Sequence, residues 1–221
     1  MIALHHADMA EAFRYMGHRG TPDAALLEKA GRCEEKLLQQ SVPRYLYRVQ
    51  PIAFTPKGIA VEHTALLLPG EDIRAHLSGC DRVIVMCATL SVGADAAIRQ
   101  AQAHDVLEGL MTDAIASALT EQLCDAAEAE ILAALPGLHA TWRFSPGYGD
   151  LPLSVQGALL DALGAGKHLG VTLSGSGMLI PTKSVTALIG LSPHSIPKGK
   201  RGCAVCSMRE QCTYRKKGEH C

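Results

Sequence analysis

A long alanine-rich stretch, residues 93–135, constrains the fold of this chain more than any other feature. Most of its residues are strong helix formers, and its apolar side chains recur at helical spacing. The predicted apolar stripe consists of Leu107, Leu110, Met111 and Ala114. We expect a break near His104 and Asp105, and Pro136-Gly137 ends the region. The sequence therefore predicts two consecutive helices.

The segment that precedes this stretch predicts a buried strand. Residues 82–90, RVIVMCATL, are apolar on both faces, as in a strand that is covered on two sides. Further strands are predicted over 45–54 (YLYRVQPIAF), in GIAVE and TALLL, over 139–144, and near 169–173 and 184–190. Helices and strands do not alternate strictly, which favours an α+β fold over a doubly wound sheet.

Four shorter helices complete the expected set. Asp8 is a candidate N-cap for a helix over 8–16, and Thr21 with Pro22 is a candidate start for the next helix, which Pro43 ends. Residues 71–77 and 154–163 predict two more. We expect one domain over 1–191 and a linker with a cysteine-rich tail over 192–221.

Composition and charge exclude several classes of function. The 221 residues are 48% hydrophobic and 19% charged, with a net charge of -1, so neither nucleic acid nor a membrane surface is an expected partner. The longest apolar run is strand-sized, and the N-terminal residues lack the pattern of a signal peptide. Eight cysteines in a chain without a signal-peptide pattern suggest a reducing, cytoplasmic setting. Four lie singly in apolar patterns and predict core positions: Cys33, Cys80, Cys87 and Cys124.

The stretch WRFSPGYGDLPL, residues 142–153, is the main candidate binding site. Pro146 and Gly147 favour a tight turn whose backbone a ligand can approach closely. Arg143 suits a carboxylate, Tyr148 a cationic centre or an adenine ring, and Asp150 an ammonium or a ribose. An ordinary strand-to-helix connection explains the same residues taken alone.

The order of motifs after this turn resembles a known family. Arg-x-x-x-Gly-Tyr, an amphipathic helix, Gly-Val-Thr-Leu-Ser, a proline and Ser184-Val185-Thr186 together resemble the activation domain of cobalamin-dependent methionine synthase. The likeness is closer to stand-alone proteins of that family, which carry a GYGDLP-type turn and a short cysteine-containing tail. FRYMGHRG, PRYLYRV and ATLSVGADAAI extend it over nearly the whole chain, and its specific part is 143–186.

The resemblance implies a curved, mixed or antiparallel sheet with helices, and S-adenosylmethionine as the ligand. It also implies a task, the reductive reactivation of cobalamin on a partner corrinoid methyltransferase, as one component of a split methionine synthase. The electron would come from a reductase such as a flavodoxin or a ferredoxin. Cobalt and the sulfonium carry the chemistry, so no catalytic residue is expected, and the protein would position the methyl group.

Carried over by position, the family's ligand-binding turn corresponds to Arg143, Gly147 and Tyr148, with Ser145 and Pro146 inside it. Ser184 and Val185 match a later pair whose role is structural or binding. The synthase domain has Pro where this chain has Gly149, and an acid where it has Gly175 in Ser174-Gly175-Ser176. Asp150 is a candidate to compensate for the missing acid.

The tail carries a second chemical cluster. Its four cysteines are Cys203, Cys206, Cys212 and Cys221. Four thiolates can hold zinc or an iron–sulfur cluster, a lone C-x-x-C can be a redox dithiol, and an unligated tail is the third interpretation. Two other functions therefore stay open: an iron–sulfur electron carrier or reductive activator, and a non-enzymatic scaffold that clamps a corrinoid protein.

Overall fold

The computed structural model describes residues 2–196, which form a six-stranded sheet with helices on both faces. In the order of the sheet the strands are β3 (Leu67–Leu68), β2 (Gly58–Val61), β1 (Arg44–Thr55), β4 (Arg82–Thr89), β8 (Ser184–Ser192) and β5 (His139–Ala140). Every pairing is antiparallel. A separate hairpin pairs β6 (Thr172–Leu173) with β7 (Leu179–Ile180). The predicted α+β class is confirmed.

Strand β4 is the centre of the sheet, as its apolar sequence predicts. It pairs with β1 on one side and with β8 on the other. Because successive side chains of a strand point to opposite faces, β4 supplies two cores. Ile84, Met86 and Ala88 belong to one core, and Val83, Val85 and Cys87 belong to the other.

Four helices, three of them long, cover the first face. They are α1 (Met9–Tyr15), α2 (Ala24–Gln40), α4 (Val92–His104) and α5 (Val106–Ala133). The predicted break is confirmed, because Asp105 is extended and its carboxylate caps α5 by accepting from the backbone N–H groups of Leu107 and Glu108. Within the described residues 2–196, no helix has the length and apolar character that crossing a bilayer requires.

The predicted stripe on α5 is half wrong. Met111 and Ala114 are buried, but Leu107 and Leu110 are exposed. The first turns of α5 turn Glu108 toward α2, where it lies 3.6 Å from Lys29 Nζ, and Gly109 closely approaches α4. Tertiary contacts on those two sides leave the leucines facing solvent.

Shorter elements cover the second face. They are α3 (Glu71–His76), a 3-10 turn (Leu153–Val155), α6 (Gln156–Leu163), α7 (Ala165–Leu169) and the β6–β7 hairpin. Gln156 of α6 is buried and connects this helix to the hairpin and to the sheet. Its Nε2 donates to the Gly177 carbonyl at 3.0 Å, and its Oε1 accepts from the Thr186 hydroxyl of β8 at 2.9 Å. One side chain therefore fixes the hairpin to α6 and to the sheet.

Two predicted boundaries need correction. Helix α2 starts at Ala24 and is capped by the Asp23 carboxylate, which accepts from Leu26 N at 2.8 Å, so Thr21 is not its N-cap. The strand predicted over 139–144 pairs regularly only over two residues, because the Thr141 hydroxyl replaces a backbone acceptor and binds Gly190 N at 2.8 Å. Phe144 then rejoins β8 through a bridge to Leu188.

The predicted division of the chain stays a prediction. Strand β8 ends at Ser192, and the tail beyond residue 196 lies outside the described residues.

Candidate functional site

The turn over residues 143–150 leaves the edge of the sheet as an exposed, hydrogen-bonded loop. Tyr148 N donates to Ser145 O at 3.0 Å, Gly147 N donates to Leu151 O at 2.8 Å, and Leu151 N donates to Tyr148 O at 3.1 Å. Gly147 has a φ of +94°, a conformation that side chains disfavour. Pro146 is buried beneath the turn. These hydrogen bonds therefore hold the exposed backbone of the turn in place.

Asp150 braces the turn against α3. Its carboxylate accepts from Glu71 N at 2.6 Å and from Asp72 N at 3.1 Å, while Asp150 N donates to Asp72 Oδ2 at 3.1 Å. Each of the two aspartates thus accepts a hydrogen bond from the backbone N–H of the other. Asp150 acts as a helix cap for α3 that comes from a distant loop.

The reciprocal contact between the aspartates explains Gly149. Its φ is +51°, which the ring of proline forbids, and a Cβ at this position would collide with the Asp72 carboxylate. The turn therefore differs locally from one that carries proline at this position.

Arg143 lies against three acids of α5 that sequence analysis did not single out. Its guanidinium contacts Glu128 Oε2 at 2.5 Å, Asp125 Oδ1 at 2.6 Å and Glu121 Oε2 at 3.5 Å. We call these three acids the acidic wall. Their spacing of four and three residues places them on one face of α5. The same spacing is common on solvated helix faces, so the sequence carries no signal that singles them out.

The acidic wall keeps Arg143 charged and leaves an excess of negative charge. The Arg143 side chain is only 19% exposed. Burial lowers its pKa, but the hydrogen bond to Asp125 and nearby negative charge raise it further, so the net shift is upward. Three carboxylates against one guanidinium leave a net charge of minus two at neutral pH. Such a cluster attracts a cationic ligand.

The end of α1 flanks the wall. Burial and the charge of Glu121 raise the pKa of the Tyr15 phenol, so this residue of α1 lies within electrostatic range of the first acid of the wall. Gln122, the next residue of α5, donates to the His6 carbonyl at 3.1 Å and accepts from Asp8 N at 2.9 Å. The N-terminal segment is therefore anchored to the part of α5 that carries the site.

Tyr148 ends a chain of aromatic contacts at the turn. Phe144 is buried, and its ring centroid lies 5.9 Å from that of Tyr148 in an edge-to-face arrangement. Trp142 and His76 extend the contacts on the other side of Phe144. Tyr148 itself is 53% exposed, so one aromatic surface stays accessible beside Gly147.

The later motif residues have structural contacts. Ser184 Oγ donates to Thr89 Oγ1 at 2.8 Å within the sheet, and Thr186 binds Gln156. Ser174-Gly175-Ser176-Gly177 forms the turn of the β6–β7 hairpin, and a side chain added at Gly175 would meet open space.

The four cysteines predicted for the core are buried, as expected. Burial raises the pKa of Cys87 and of Cys124 to about 12, so these thiols stay protonated near neutral pH. Cys203, Cys206, Cys212 and Cys221 lie outside the described residues. Over residues 2–196, no group of three or more His, Cys, Asp or Glu side chains is placed to hold a metal ion.

Comparison with solved structures identifies the fold. The chain is similar to the crystal structure of the MetH reactivation domain bound to AdoHcy, with a TM-score of 0.64 over 96% of this chain and 82% of that chain. The sequences are 16% identical, so the likeness establishes the fold alone. No family model and no curated protein sequence matches the chain.

Proposed function

We propose that this protein binds S-adenosylmethionine between the 143–150 turn and the acidic wall, and presents it for the reactivation of cobalamin carried by a partner methyltransferase. The pairing of Arg143 with the acidic wall supports this proposal most. S-adenosylmethionine carries a sulfonium, an ammonium and a carboxylate. A site with one guanidinium and three carboxylates complements all of these charges.

Each residue of the turn receives a positioning role in this proposal. The Arg143 guanidinium holds the ligand carboxylate, and the acidic wall holds the ammonium. The exposed ring of Tyr148 faces the adenine or the sulfonium, with backbone contacts from Ser145, Pro146 and Gly147. Asp150 keeps the turn in place through its bonds to α3, rather than compensating for the missing family acid.

In the proposed methyl transfer, the protein contributes mainly the positioning of the reacting groups. One electron from a reductase, such as a flavodoxin or a ferredoxin, reduces Co(II) to Co(I). Co(I) then supplies the electron pair of the new cobalt–carbon bond, and the pair of the broken sulfur–carbon bond stays on sulfur. Holding the sulfonium methyl in line with the metal converts an encounter between two molecules into a step within one complex.

Binding of S-adenosylmethionine and S-adenosylhomocysteine, measured by calorimetry, tests the site. Arg143→Ala is expected to weaken S-adenosylmethionine binding by about tenfold or more, since a bidentate charged contact is lost. Arg32→Ala is the matched control, because Arg32 pairs with Glu28 on the exposed side of α2. Absence of binding by the unmodified protein, or an unchanged affinity for Arg143→Ala, would contradict the assignment.

We further propose that Cys203, Cys206, Cys212 and Cys221 form a zinc or iron–sulfur site in a reducing cytoplasmic setting. The spacing of the tail supports this site, and an iron–sulfur cluster there would favour a second function, electron delivery to the corrinoid partner. Iron and zinc analysis with visible absorption after anaerobic purification distinguishes the two. Metal content that survives Cys203→Ser with Cys206→Ser would contradict the site.

A further inference from the structure

Strand β1 is accessible along its whole length, unlike the other two long strands of the sheet. None of its twelve residues is buried, whereas seven of the eight residues of β4 and eight of the nine residues of β8 are buried. β4 pairs with β1 over residues 44–51, but β2 pairs with it only over residues 52–55. Over 44–51, no strand within residues 2–196 pairs with the side of β1 that faces away from β4. We call this stretch the open edge.

Hydrogen bonds at the end of the open edge show which backbone groups point outward. Ile52 N donates to Asp81 O at 3.0 Å on the β4 side, and Pro51 O accepts from Glu62 N at 3.0 Å on the opposite side. The backbone groups of successive strand residues point to alternate sides, and the register between β1 and β4 runs without a bulge. The residues whose N–H and C=O groups point away from β4 are therefore Tyr45, Tyr47 and Val49.

The side chains on the two faces of the open edge differ in character. Tyr45, Tyr47 and Val49 are half-buried and pack against the core on the first face of the sheet. The two tyrosine rings are nearly parallel, and their centroids lie 6.4 Å apart. On the other face, Arg44 and Arg48 are exposed. A strand added here would thus continue an apolar surface on one face and meet positive charge on the other.

The positive charge of the open edge is not neutralised by the surrounding protein. Arg44 donates to the carbonyl oxygen of His168 in α7, which is a neutral acceptor. Within residues 2–196, no acid lies within ion-pair distance of Arg44 or Arg48. The open edge therefore favours an occupant that carries negative charge.

Two other occupants are disfavoured by their charge. A second copy of the chain, paired through the same edge, would bring four arginines onto one face, and like charges on neighbouring strands destabilise a sheet. The tail over 197–221 contains seven Lys and Arg residues and only two Glu residues, so it is repelled as well.

We propose that the open edge binds an extended, acidic segment of a partner protein and adds it to the sheet as a further strand. The outward N–H and C=O groups of β1 supply the main-chain hydrogen bonds of this strand addition. Acidic side chains at alternate positions of the segment face Arg44 and Arg48, and apolar side chains between them continue the surface of the tyrosines. β4 and β8 separate the open edge from the 143–150 turn, so the proposal goes beyond the proposed function and does not depend on it.

Fluorescence anisotropy with labelled peptides tests the proposal on the full chain. The acidic probe is a peptide of about eight residues that alternates glutamate with valine, and the control probe alternates lysine with valine. We expect saturable binding of the acidic probe alone. Arg48→Glu should weaken this binding by about tenfold, because attraction between the strands becomes repulsion. Arg99→Glu, the same change at an exposed position of α4, is the matched control and should leave the affinity unchanged.

Two further measurements test whether the peptide is added as a strand. Methylation of every backbone nitrogen of the acidic probe keeps its charge and removes its donors, so it should abolish binding. In hydrogen exchange followed by NMR, the amides of Tyr45, Tyr47 and Val49 should exchange fast in the free protein and slowly when the probe is bound. The amides of Leu46 and Arg48, which face β4, should exchange slowly in both states.

Several results would overturn the proposal. They include no saturable binding of the acidic probe, equal binding of the lysine probe, and binding that survives full methylation. An unchanged affinity for Arg48→Glu, or an equal loss with Arg99→Glu, would do the same. Slow exchange of the outward amides in the free protein would also overturn it: sedimentation as a monomer would assign the open edge to the tail, and sedimentation as a dimer would assign it to a second copy of the chain.

Discussion

The acidic wall and a set of exposed apolar side chains, here called the apolar face, both belong to the surroundings of the 143–150 turn, and they differ in chemical character. The members of the apolar face are Tyr148, Leu153, Met178 and Ile180. The wall places three carboxylates around Arg143, whereas the segments that carry the apolar face, 151–160 and 169–182, hold no charge. A ligand with a charged end and a reacting methyl group can meet both sides at once. The turn therefore lies between a charged region and an apolar one.

The two sides also differ in how they are built. The wall stands on α5, a 28-residue helix that is packed against the sheet and three other helices. Helical geometry places its three acids on one face of α5. The apolar face belongs to the 143–150 turn, to a 3-10 turn and to the β6–β7 hairpin, and the side chain of Gln156 connects that hairpin to α6. The charged side chains are thus held by a long, packed helix, whereas the apolar side chains are held by short elements.

The largest expected effect is on the free energy of unfolding, through the buried hydrogen bonds of Gln156. Gln156→Leu removes bonds to Gly177 O and to the buried Thr186 hydroxyl, and should lower the free energy of unfolding by about 2–3 kcal/mol. Urea unfolding measures it. Gln100→Leu, which removes an exposed bond to Gln40, is the control and should change little. An equal effect of both variants would show that Gln156 is not the connection described.

A smaller loss is expected at the boundary itself. Gly149→Ala forces a Cβ into the left-handed region and against the Asp72 carboxylate, and should cost about 2 kcal/mol of unfolding free energy. The turn should move away from α3, which would weaken the binding of S-adenosylmethionine. Gly31→Ala, within α2 and without close neighbours, should instead be neutral or stabilising. Thermal unfolding of both variants decides, and a neutral Gly149→Ala would contradict the brace.

On the charged side, Asp125→Asn should weaken S-adenosylmethionine binding by about fivefold, since exposed ion pairs contribute up to about 1 kcal/mol. The loss should shrink as salt is added, because salt screens the contact. Calorimetry at two ionic strengths measures both. Glu35→Gln on α2 removes the same charge away from the wall and should have no effect. A loss that does not depend on salt would argue against an electrostatic role.

The smallest effect concerns an acid of α5 that does not belong to the wall. Glu130 accepts from the Tyr45 hydroxyl at 2.7 Å, and this bond, with burial and the negative charge of Glu130, raises the pKa of Tyr45 to about 12. The protonated phenol is the stabilised form. Its contribution is therefore complete below about pH 10, the ordinary tyrosine value, and is lost as the pH rises toward 12.

Absorbance at the tyrosinate band should accordingly show a late step near pH 12. The pKa of Tyr15 is raised as well, but the step near pH 12 belongs to Tyr45. Glu130→Gln should return its pKa toward the ordinary value, and Tyr45→Phe should remove the late step. A late step that persists in Tyr45→Phe would assign it to another tyrosine.

Several parts of the fold follow from local sequence. The strand RVIVMCATL is apolar at every core position, so it had to be central. Asp105 separates α4 from α5 because its extended backbone and capping carboxylate are local properties. The prediction that Thr21 caps α2 is wrong, because the hydrogen bond from Leu26 N to the Asp23 carboxylate makes Asp23 the cap and is visible only in the structure.

The candidate site divides in the same way. The turn over 143–150 is visible in the sequence because proline and glycine restrict its backbone locally. The acidic wall is not visible in the sequence. Its residues Glu121, Asp125 and Glu128 resemble any solvated helix face, and only the contact with Arg143 distinguishes them. The roles of Asp150 and Gly149 also needed α3, 78 residues away in the chain for the pair Asp72 and Asp150.

The sequence by itself thus determined the α+β class, the central strand, the helix break and the place of the turn, because each depends on neighbours within a few residues. The tertiary structure decided which acids face Arg143, why Gly149 is required, and which apolar side chains stay exposed at the turn. These properties depend on residues that are distant in the chain, and only packing sets their distances and burial.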